Sequence, residues 1–463
     1  MIPVITPAQA RAADAASGLP LAELVERAGA AVARAALEML GGTYGRRVVV
    51  LVGPGTNGAD GRAAARVLAA RGVWVRVVDL PGGGDRIGIP DMVGSSSGPV
   101  HLVIDAVFGT GTRDTWQVPD VGDVPVLAVD LPSGLDPLTG EAASVIPAAR
   151  TVALQALKPG LLLGDGPDVA GVVTVADIGL DIGSPHAELV ERDDVASWIT
   201  PRPRTADKWS AALRVVAGSP GMLGAASLAA GSALRSGSGM VRLSSVGAVA
   251  HEPQEAVHQP LGTESWSEVV LEDLHRFAAL VIGPGLGRTG TTPAEVASTV
   301  FRCGLPVVVD GDGLFALTWN PHGAPTSLRQ REPATVLTPH DGEYRTLTGE
   351  APPADRIAAA NRLVADTGAV VVLKGPTTIV ASPDGRTRLV DTGDQRLATA
   401  GTGDVLAGII GAFLARGIPA ARAAAAAAWV HGTAAQSLPA AGVTAGDVLA
   451  AVGTVIADLE TGR

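Results

Sequence analysis

The sequence predicts an α/β protein made of two successive, unlike domains, each built on a largely parallel sheet. Three observations carry this. Segments of strand and helix period alternate along almost all of the 463 residues, the pattern of helices covering parallel sheets. Hydrophobic residues make up 47% and charged residues only 17%, a composition that buries cores instead of staying disordered. A polar, proline-broken stretch, Thr-Pro-Arg-Pro-Arg-Thr at 200–205, interrupts the alternation, and no internal repeat relates the two sides of it. The boundary is therefore expected at 190–205, giving domains of residues 1–200 and 201–463.

Taken in order, residues 21–40 read as an amphipathic helix stopped by Gly41-Gly42. Residues 47–52 form a buried strand, followed by a glycine-rich turn and a helix over 61–71. Further strands are expected at 73–80, 101–108, 124–131 and 151–154, with 81–99 as a Gly/Ser-rich surface loop. A second cycle opens with a strand at 213–217 and a helix of small residues at 223–236. Strands at 279–282, 305–310, 334–337 and 369–373 follow, then an apolar helix over 405–414 and an Ala-rich one over 420–435. The Ala-rich helix suits packing inside its domain and leaves a homo-oligomeric contact open.

Composition narrows the function. A net charge of −11 (35 Lys+Arg against 46 Asp+Glu) speaks against a nucleic-acid binder. The single cysteine, Cys303, forbids an intramolecular disulfide and any Cys-based zinc cluster, and reads as a core residue. Residues 1–10 carry no basic or apolar leader pattern, and no apolar run reaches the roughly 20 residues of a membrane span. A soluble, cytoplasmic protein is expected.

In the first half, GPGTNGADG (53–61) lies between a strand and a helix. Such a turn frees backbone N–H groups for an anion. Its Gly53-x-Gly55-x-x-Gly58 spacing meets the dinucleotide fingerprint, with Asp79 about 20 residues on, although Gly285-x-Gly287-x-x-Gly290 meets it too. Asp105 and Asp130 follow strand ends, as do the loop Gly109–Thr112 and Ser133. Because ligands bind at the carboxyl ends of parallel strands, Asn57, Asp105, Asp130 and Ser133 are expected on one rim, though each alone also suits a turn or cap. GPGTNGADG, IDAVFGTGT, DLPSGLDPLTG and ALKPG, in this order, resemble the NAD(P)H-hydrate epimerase domain, a Rossmann-like three-layer fold. The resemblance implies a potassium ion held by Asn57, Asp105 and Ser133. It implies contacts to hydrated NADH or NADPH from Thr56, Asn57, Gly58, Ala59 and Asp60 and from Gly109, Thr110, Gly111, Thr112, Arg113, Asp114 and Thr115. Asp130 would contact the nucleotide and act as base or acid at C6, with Lys158 assisting. Thr56 and Ala59 depart from the family's GPGNNGGDG, and alanine at 59 is costly if the backbone there needs a positive φ.

In the second half, ATAGTGDVLAG (398–408) puts a glycine turn directly before an apolar helix. Its N–H groups and the helix dipole suit an anion, and Asp404 is placed either to cap the helix or to take a proton from a hydroxyl. VIGPGLGR (281–288), LTPHDGEY (337–344) and LKGPTTIVASPDG (373–385) stand at other strands, and no Walker A lysine motif occurs. These motifs resemble the ADP-dependent NAD(P)H-hydrate dehydratase domain, a ribokinase-like α/β fold. The resemblance implies substrate contacts from Ala225, Gly287, His340 and Asp404, with Asp404 catalytic. Lys374, Gly375, Pro376, Thr377, Thr378, Asp394, Ala400, Gly401, Thr402 and Gly403 would bind ADP together with magnesium. Joined, the two resemblances imply a bifunctional isomerase and lyase that repairs hydrated NADH and NADPH. A ribokinase-like small-molecule kinase with an accessory N-terminal domain, and a non-catalytic scaffold in the N-terminal half, remain as alternatives.

Overall fold

The computed structural model describes residues 1–80, 98–111, 118–318 and 325–462. Thr112, Arg113, Asp114 and Thr115, and most of the expected loop at 81–99, lie outside the described residues. The chain divides into two compact units, residues 2–187 and residues 188–463 with Met1.

The first unit is a parallel sheet in the spatial order Trp74–Asp79, Arg47–Val52, Leu102–Ala106, Val126–Val129, Arg150–Leu154, Val172–Ala176. Side chains alternate across it, as the strand period of two requires. Val48, Val50, Val52, Leu102 and Ile104 pack on one face with Val32, Ala36 and Leu68 of helices Leu21–Leu40 and Thr56–Ala70. Val49, Leu51 and Val103 pack on the other with Phe108, Ile146 and Ala148. The two helices meet so closely that a Cβ on Gly29 would stand 2.4 Å from the Ala63 methyl carbon. From Arg47–Val52 the next strand is added on one side and Leu102–Ala106 on the other, so the strand order reverses between these two parallel neighbours, the switch point where α/β sheets open a crevice.

In the second unit the sheet runs Ala187–Leu189, Thr387–Val390, Thr378–Ala381, Val370–Leu373, Thr335–Leu337, Val307–Val309, Ala279–Ile282, Ala212–Val216, Met240–Ser244, Val257–His258. It is parallel except around Thr378–Ala381, which pairs antiparallel with both neighbours. Its switch point lies between Ala279–Ile282 and Ala212–Val216. Helices Leu223–Arg235, Thr402–Ala415, Ala420–Gln436 and Ala445–Thr461 bury one face of it. Ala423 to Ala428 are all buried in that core, which is where the Ala-rich stretch is spent. Cys303 is also buried, at the C-cap of helix Thr292–Arg302. Residues 188–200, read from sequence with the first half, contribute Val190, Val195 and Ile199 to this second core. No described helix is long and apolar enough to cross a membrane.

Candidate active sites

At the first switch point, strand Arg47–Val52 ends in Gly53, where a Cβ would lie 2.0 Å from the Val107 carbonyl oxygen. At Gly58 it would lie 2.0 Å from the Gly53 oxygen. Close backbone approach, not unusual torsion, is what these two glycines supply. The helix begins at Thr56, five residues before the sequence pattern suggests, because a glycine-rich first turn hides its helical period. Ala59 lies inside that helix and does not have a positive φ, so the cost expected there does not arise.

A cavity of about 480 Å³ opens here, within the usual size of small-ligand sites. Thr56, Asn57, Asp60, Gly109, Thr110, Gly111, Asp130 and Lys158 line it. Asn57 is buried, and its amide nitrogen has no partner among the described residues. Gly58 and Ala59 lie in the same helical turn, behind the wall. Asp79 is turned away and pairs with Arg62. Asp14, from helix Pro7–Ala16, also faces the cavity, a residue that no motif marks.

Asp105 and Ser133 do not line the cavity but sit beneath its wall, both fully buried. Ser133 donates to Asp105 from Oγ at 2.6 Å and from its amide at 2.8 Å, and Val107 N donates at 3.3 Å. Ser133 Oγ in turn accepts from Phe108 N at 2.8 Å, which fixes the loop carrying Gly109. Burial raises the Asp105 carboxyl above its ordinary value, opposed by these hydrogen bonds.

Asp130 is built differently. Its backbone takes φ 66°, an uncommon left-handed setting for a residue with a Cβ. The amide of Leu154 donates to its Oδ1 at 3.0 Å, and Lys158 Nζ donates to the same oxygen. Lys158, also buried, gives its remaining protons to the carbonyls of Leu154 (2.9 Å) and Ala156 (3.2 Å). The lysine is thus fully spent in positioning. Oδ2 of Asp130 is the oxygen left for the cavity.

In the second unit, helix Thr402–Ala415 starts three residues earlier than its apolar run. Gly401 is its N-cap at φ 94°, and no side chain caps it. Thr402 Oγ1 instead donates to the carbonyls of Leu397 (2.8 Å) and Thr399 (2.9 Å). Neither Thr402 nor Asp404 is a cap; Thr402 N donates to the Thr399 carbonyl at 3.3 Å, and the N–H groups of Gly403 and Asp404 stay available to an anion. Lys374 Nζ stands 3.4 Å from where a Cβ on Gly403 would be. It also donates to Asp310 at 3.1 Å and pairs with Glu343 at 3.5 Å.

Burial and then Asp310 push the Asp404 carboxyl up to about 7; Lys374 opposes, and Glu343 and Asp312 add to the rise. Burial alone would lower the Lys374 ammonium, but Asp310 and Glu343 outweigh it and the net shift is upward. Asp310 and Glu343 carry no expectation from the sequence, yet signals exist: Asp310 ends a strand in VVVDGDG, and Glu343 follows His340 by three. His340 Nδ1 accepts from Gly342 N (2.9 Å) and Glu343 N (3.3 Å), capping helix Asp341–Thr348. That network assigns the ring proton to Nε2, which lies 3.5 Å from Glu343 on an exposed ring.

The remaining expected residues fall around this cluster. A Cβ on Gly285 would stand 2.9 Å from that of Ala225, and Gly287 N donates to Asp312 at 2.8 Å. Arg356 holds the Lys374 carbonyl at 3.0 Å and lies 3.1 Å from a Cβ built on Gly375. A Cβ on Gly393 would lie 3.1 Å from the Pro376 oxygen, so the 374–378 and 391–398 segments adjoin. Thr377 is buried and Thr378 opens the next strand. Asp394 is engaged locally, accepting from Arg396 N at 2.9 Å and pairing with its guanidinium, while Ala400 is exposed.

Two α/β units, each with polar groups gathered beyond the carboxyl ends of its parallel strands, define an enzyme with two candidate small-molecule sites. Known families agree with both. Residues 213–454 match the NAD(P)H-hydrate dehydratase family, and residues 21–86 and 84–160 match the YjeF-related protein N-terminus family. The bifunctional NAD(P)H-hydrate repair enzyme Nnr of Mycobacterium leprae is 36% identical over 480 aligned positions, covering 96% of this chain and 95% of the relative. Its Escherichia coli K12 counterpart is 33% identical, covering 91% and 86%. The Bacillus subtilis ADP/ATP-dependent NAD(P)H-hydrate dehydratase, co-crystallised with ATP/Mg2+, superimposes with a TM-score of 0.51 at 28% identity, covering 59% of this chain and 99% of that one. The chain belongs to the bifunctional NAD(P)H-hydrate repair enzymes.

Proposed function

We propose that the first unit interconverts the R and S epimers of hydrated NADH and NADPH, and that the second dehydrates the S epimer while converting ADP to AMP and phosphate. The observation that carries the second step is the uncapped turn Gly401–Asp404 beneath Lys374. The C6 hydroxyl of the hydrate is a poor leaving group. Asp404 takes its proton as the oxygen attacks the terminal phosphorus of ADP, and the bridging P–O bond breaks with AMP as the leaving group. Lys374 and the N–H groups of the turn stabilise the charge spreading over the transferring phosphoryl group. Phosphate then leaves C6, and loss of the C5 proton restores the ring double bond.

The excess of carboxylates around Asp404 suits a dication brought in with the nucleotide. Asp310 and Glu343 are its candidate ligands, and magnesium would neutralise phosphate charge there. The buried Asp105 carboxylate, whose donors among the described residues are the neutral Ser133 and Val107 groups, and the side-chain oxygen of Asn57 are hard oxygen ligands of the kind a monovalent cation takes. Asn57, Asp105 and Ser133 would hold potassium, which would fix the loop facing the nucleotide.

In the first unit Asp130 acts at C6 through Oδ2 while Lys158 holds Oδ1. Incubating the chain with mixed hydrated NADH epimers, ADP and magnesium should convert both to NADH, read at 340 nm. Without nucleotide, only epimerisation should occur. Accumulation of a phosphorylated small molecule with no NADH would overturn this reading in favour of a kinase.

A further inference from the structure

Two carboxyl groups face the first cavity in opposite chemical settings. Asp130 is supplied with donors, Lys158 Nζ and Leu154 N both reaching Oδ1. Asp60 is 7% exposed and has neither a hydrogen-bond donor nor a cation paired with it among the described residues. Among the described residues, the charged groups on the cavity wall around it are Arg11, Asp14, Asp130 and Lys158. Lys158 spends its protons on Asp130, Leu154 and Ala156 and offers none to Asp60. Burial, then Asp130, then Asp14 push the Asp60 carboxyl up to about 8. Near neutrality Asp60 therefore carries a proton. An independent sign of a ligand here is the Asn57 amide nitrogen, buried in the same wall with no partner among the described residues.

Resting on the epimerase reading above, we propose that Asp60 is the proton donor and Asp130 the proton acceptor of the epimerisation, acting as a pair on the C6 oxygen. Asp60 gives its proton to the C6 hydroxyl. The C6–O bond breaks, its electron pair leaves on oxygen as water, and the N1 lone pair forms a C6=N1 double bond. A water molecule then adds to the other face of C6. A new C–O bond forms from its lone pair, the C=N π pair returns to N1, and Asp130 Oδ2 takes the released proton. Nothing is oxidised or reduced. One proton has passed from Asp60 to Asp130, and exchange with solvent resets the pair for either direction.

The test uses the full chain with hydrated NADH and no nucleotide, following R–S interconversion by chromatography. Asp60→Asn keeps the size and polarity of the side chain but cannot transfer a proton. General acid catalysis typically contributes about 10²–10⁴-fold, so kcat should fall by that much with KM within a few-fold. Because the donor must be protonated, the wild-type rate should decline as pH rises through about 8; the residual activity of Asp60→Asn should lack that decline, and Asp60→Glu should restore rate and decline together. Inversion in ¹⁸O-water should place solvent oxygen on C6. Near-wild-type kcat in Asp60→Asn, a lowered rate that keeps the alkaline decline, or inversion with the original oxygen retained would each overturn the proposal. A urea melt that keeps the first unit's unfolding transition, beside dehydratase turnover with ADP added, checks that both units of the variant are folded. If Asp60→Asn fails that check, Asp60→Glu and the wild-type label decide. A wild-type chain that epimerises no faster than solution would refute the epimerase reading itself, separately from the role of Asp60.

Discussion

Replacing Asp404 by Asn should make the protein both slower and more stable, by amounts that depend on pH. The carboxyl is pushed from the ordinary 3.8 to about 7 by burial and by the neighbouring Asp310. A group whose pKa is raised by folding stabilises the fold fully below its unfolded value, and that stability is lost as pH rises through the folded value. Three units at about 1.4 kcal/mol each give an upper bound near 4 kcal/mol for the cost of ionised Asp404 above pH 7. Asn carries no charge, and since Asp404 does not cap the helix, no cap is lost. The variant should match the wild type near pH 4 and gain progressively to pH 8, about 2–4 °C in melting temperature per kcal/mol for a domain of this size. Thermal melts of the nucleotide-free chain at pH 4.5 and 8.5 measure this, beside NADH production at saturating ADP. Turnover should drop by about 10²–10⁴-fold. Equal stability at both pH values would refute the charge-crowding account, and retained turnover would remove Asp404 as the base.

Other consequences follow from the packing. Lys158→Met strands the buried Asp130 carboxylate, so urea unfolding of the first unit should lose about 3–5 kcal/mol and epimerisation should fall. Adding Asp130→Asn should recover most of the stability but none of the rate. Ala59→Gly, although it restores the glycine usual in the family, should cost the helix about 0.5–1 kcal/mol and leave epimerisation unchanged, because position 59 is helical. A gain in stability would show that the position is strained.

What the sequence made legible is what periodicity and turn chemistry encode. Helix Leu21–Leu40 and strands Arg47–Val52 and Ala279–Ile282 lie where their patterns place them. Helices Thr56–Ala70 and Thr402–Ala415 start earlier than their apolar periods indicate, since each opens with a polar, glycine-containing turn that carries no such period. The candidate site was legible where a strand-end motif stood out, as at Asp130, Asn57 and Asp404. It was not legible where the arrangement depends on depth. Asp105 and Ser133 were placed on the rim, yet their mutual hydrogen bonds hold them beneath it. Asp14 faces the cavity from an ordinary helix, and only the fold brings it there. Asp310 and Glu343 matter through Lys374, a partner 64 and 31 residues away in sequence, and such pairings leave no local trace.

The turn Gly401–Asp404 owes its position to residues that lie outside it. A Cβ on Gly408 would lie 2.1 Å from the Ala229 oxygen and from Ser232 Oγ, and one on Gly411 would lie 2.3 Å from a Val281 methyl. Helix Thr402–Ala415 is therefore seated against its neighbour and the sheet with no slack for a single methyl group. Its N-terminus acts as the end of a rigid rod whose seat is machined one and two turns away. A misplacement of about 1 Å at a reacting centre can cost about 100-fold in rate, so a methyl at position 408 would register as lost catalysis even if the fold absorbed it. Tolerance to mutation in this protein is accordingly a matter of mechanical distance along that rod, and a map of sensitive positions would trace the helix's seat as clearly as the ligand's outline.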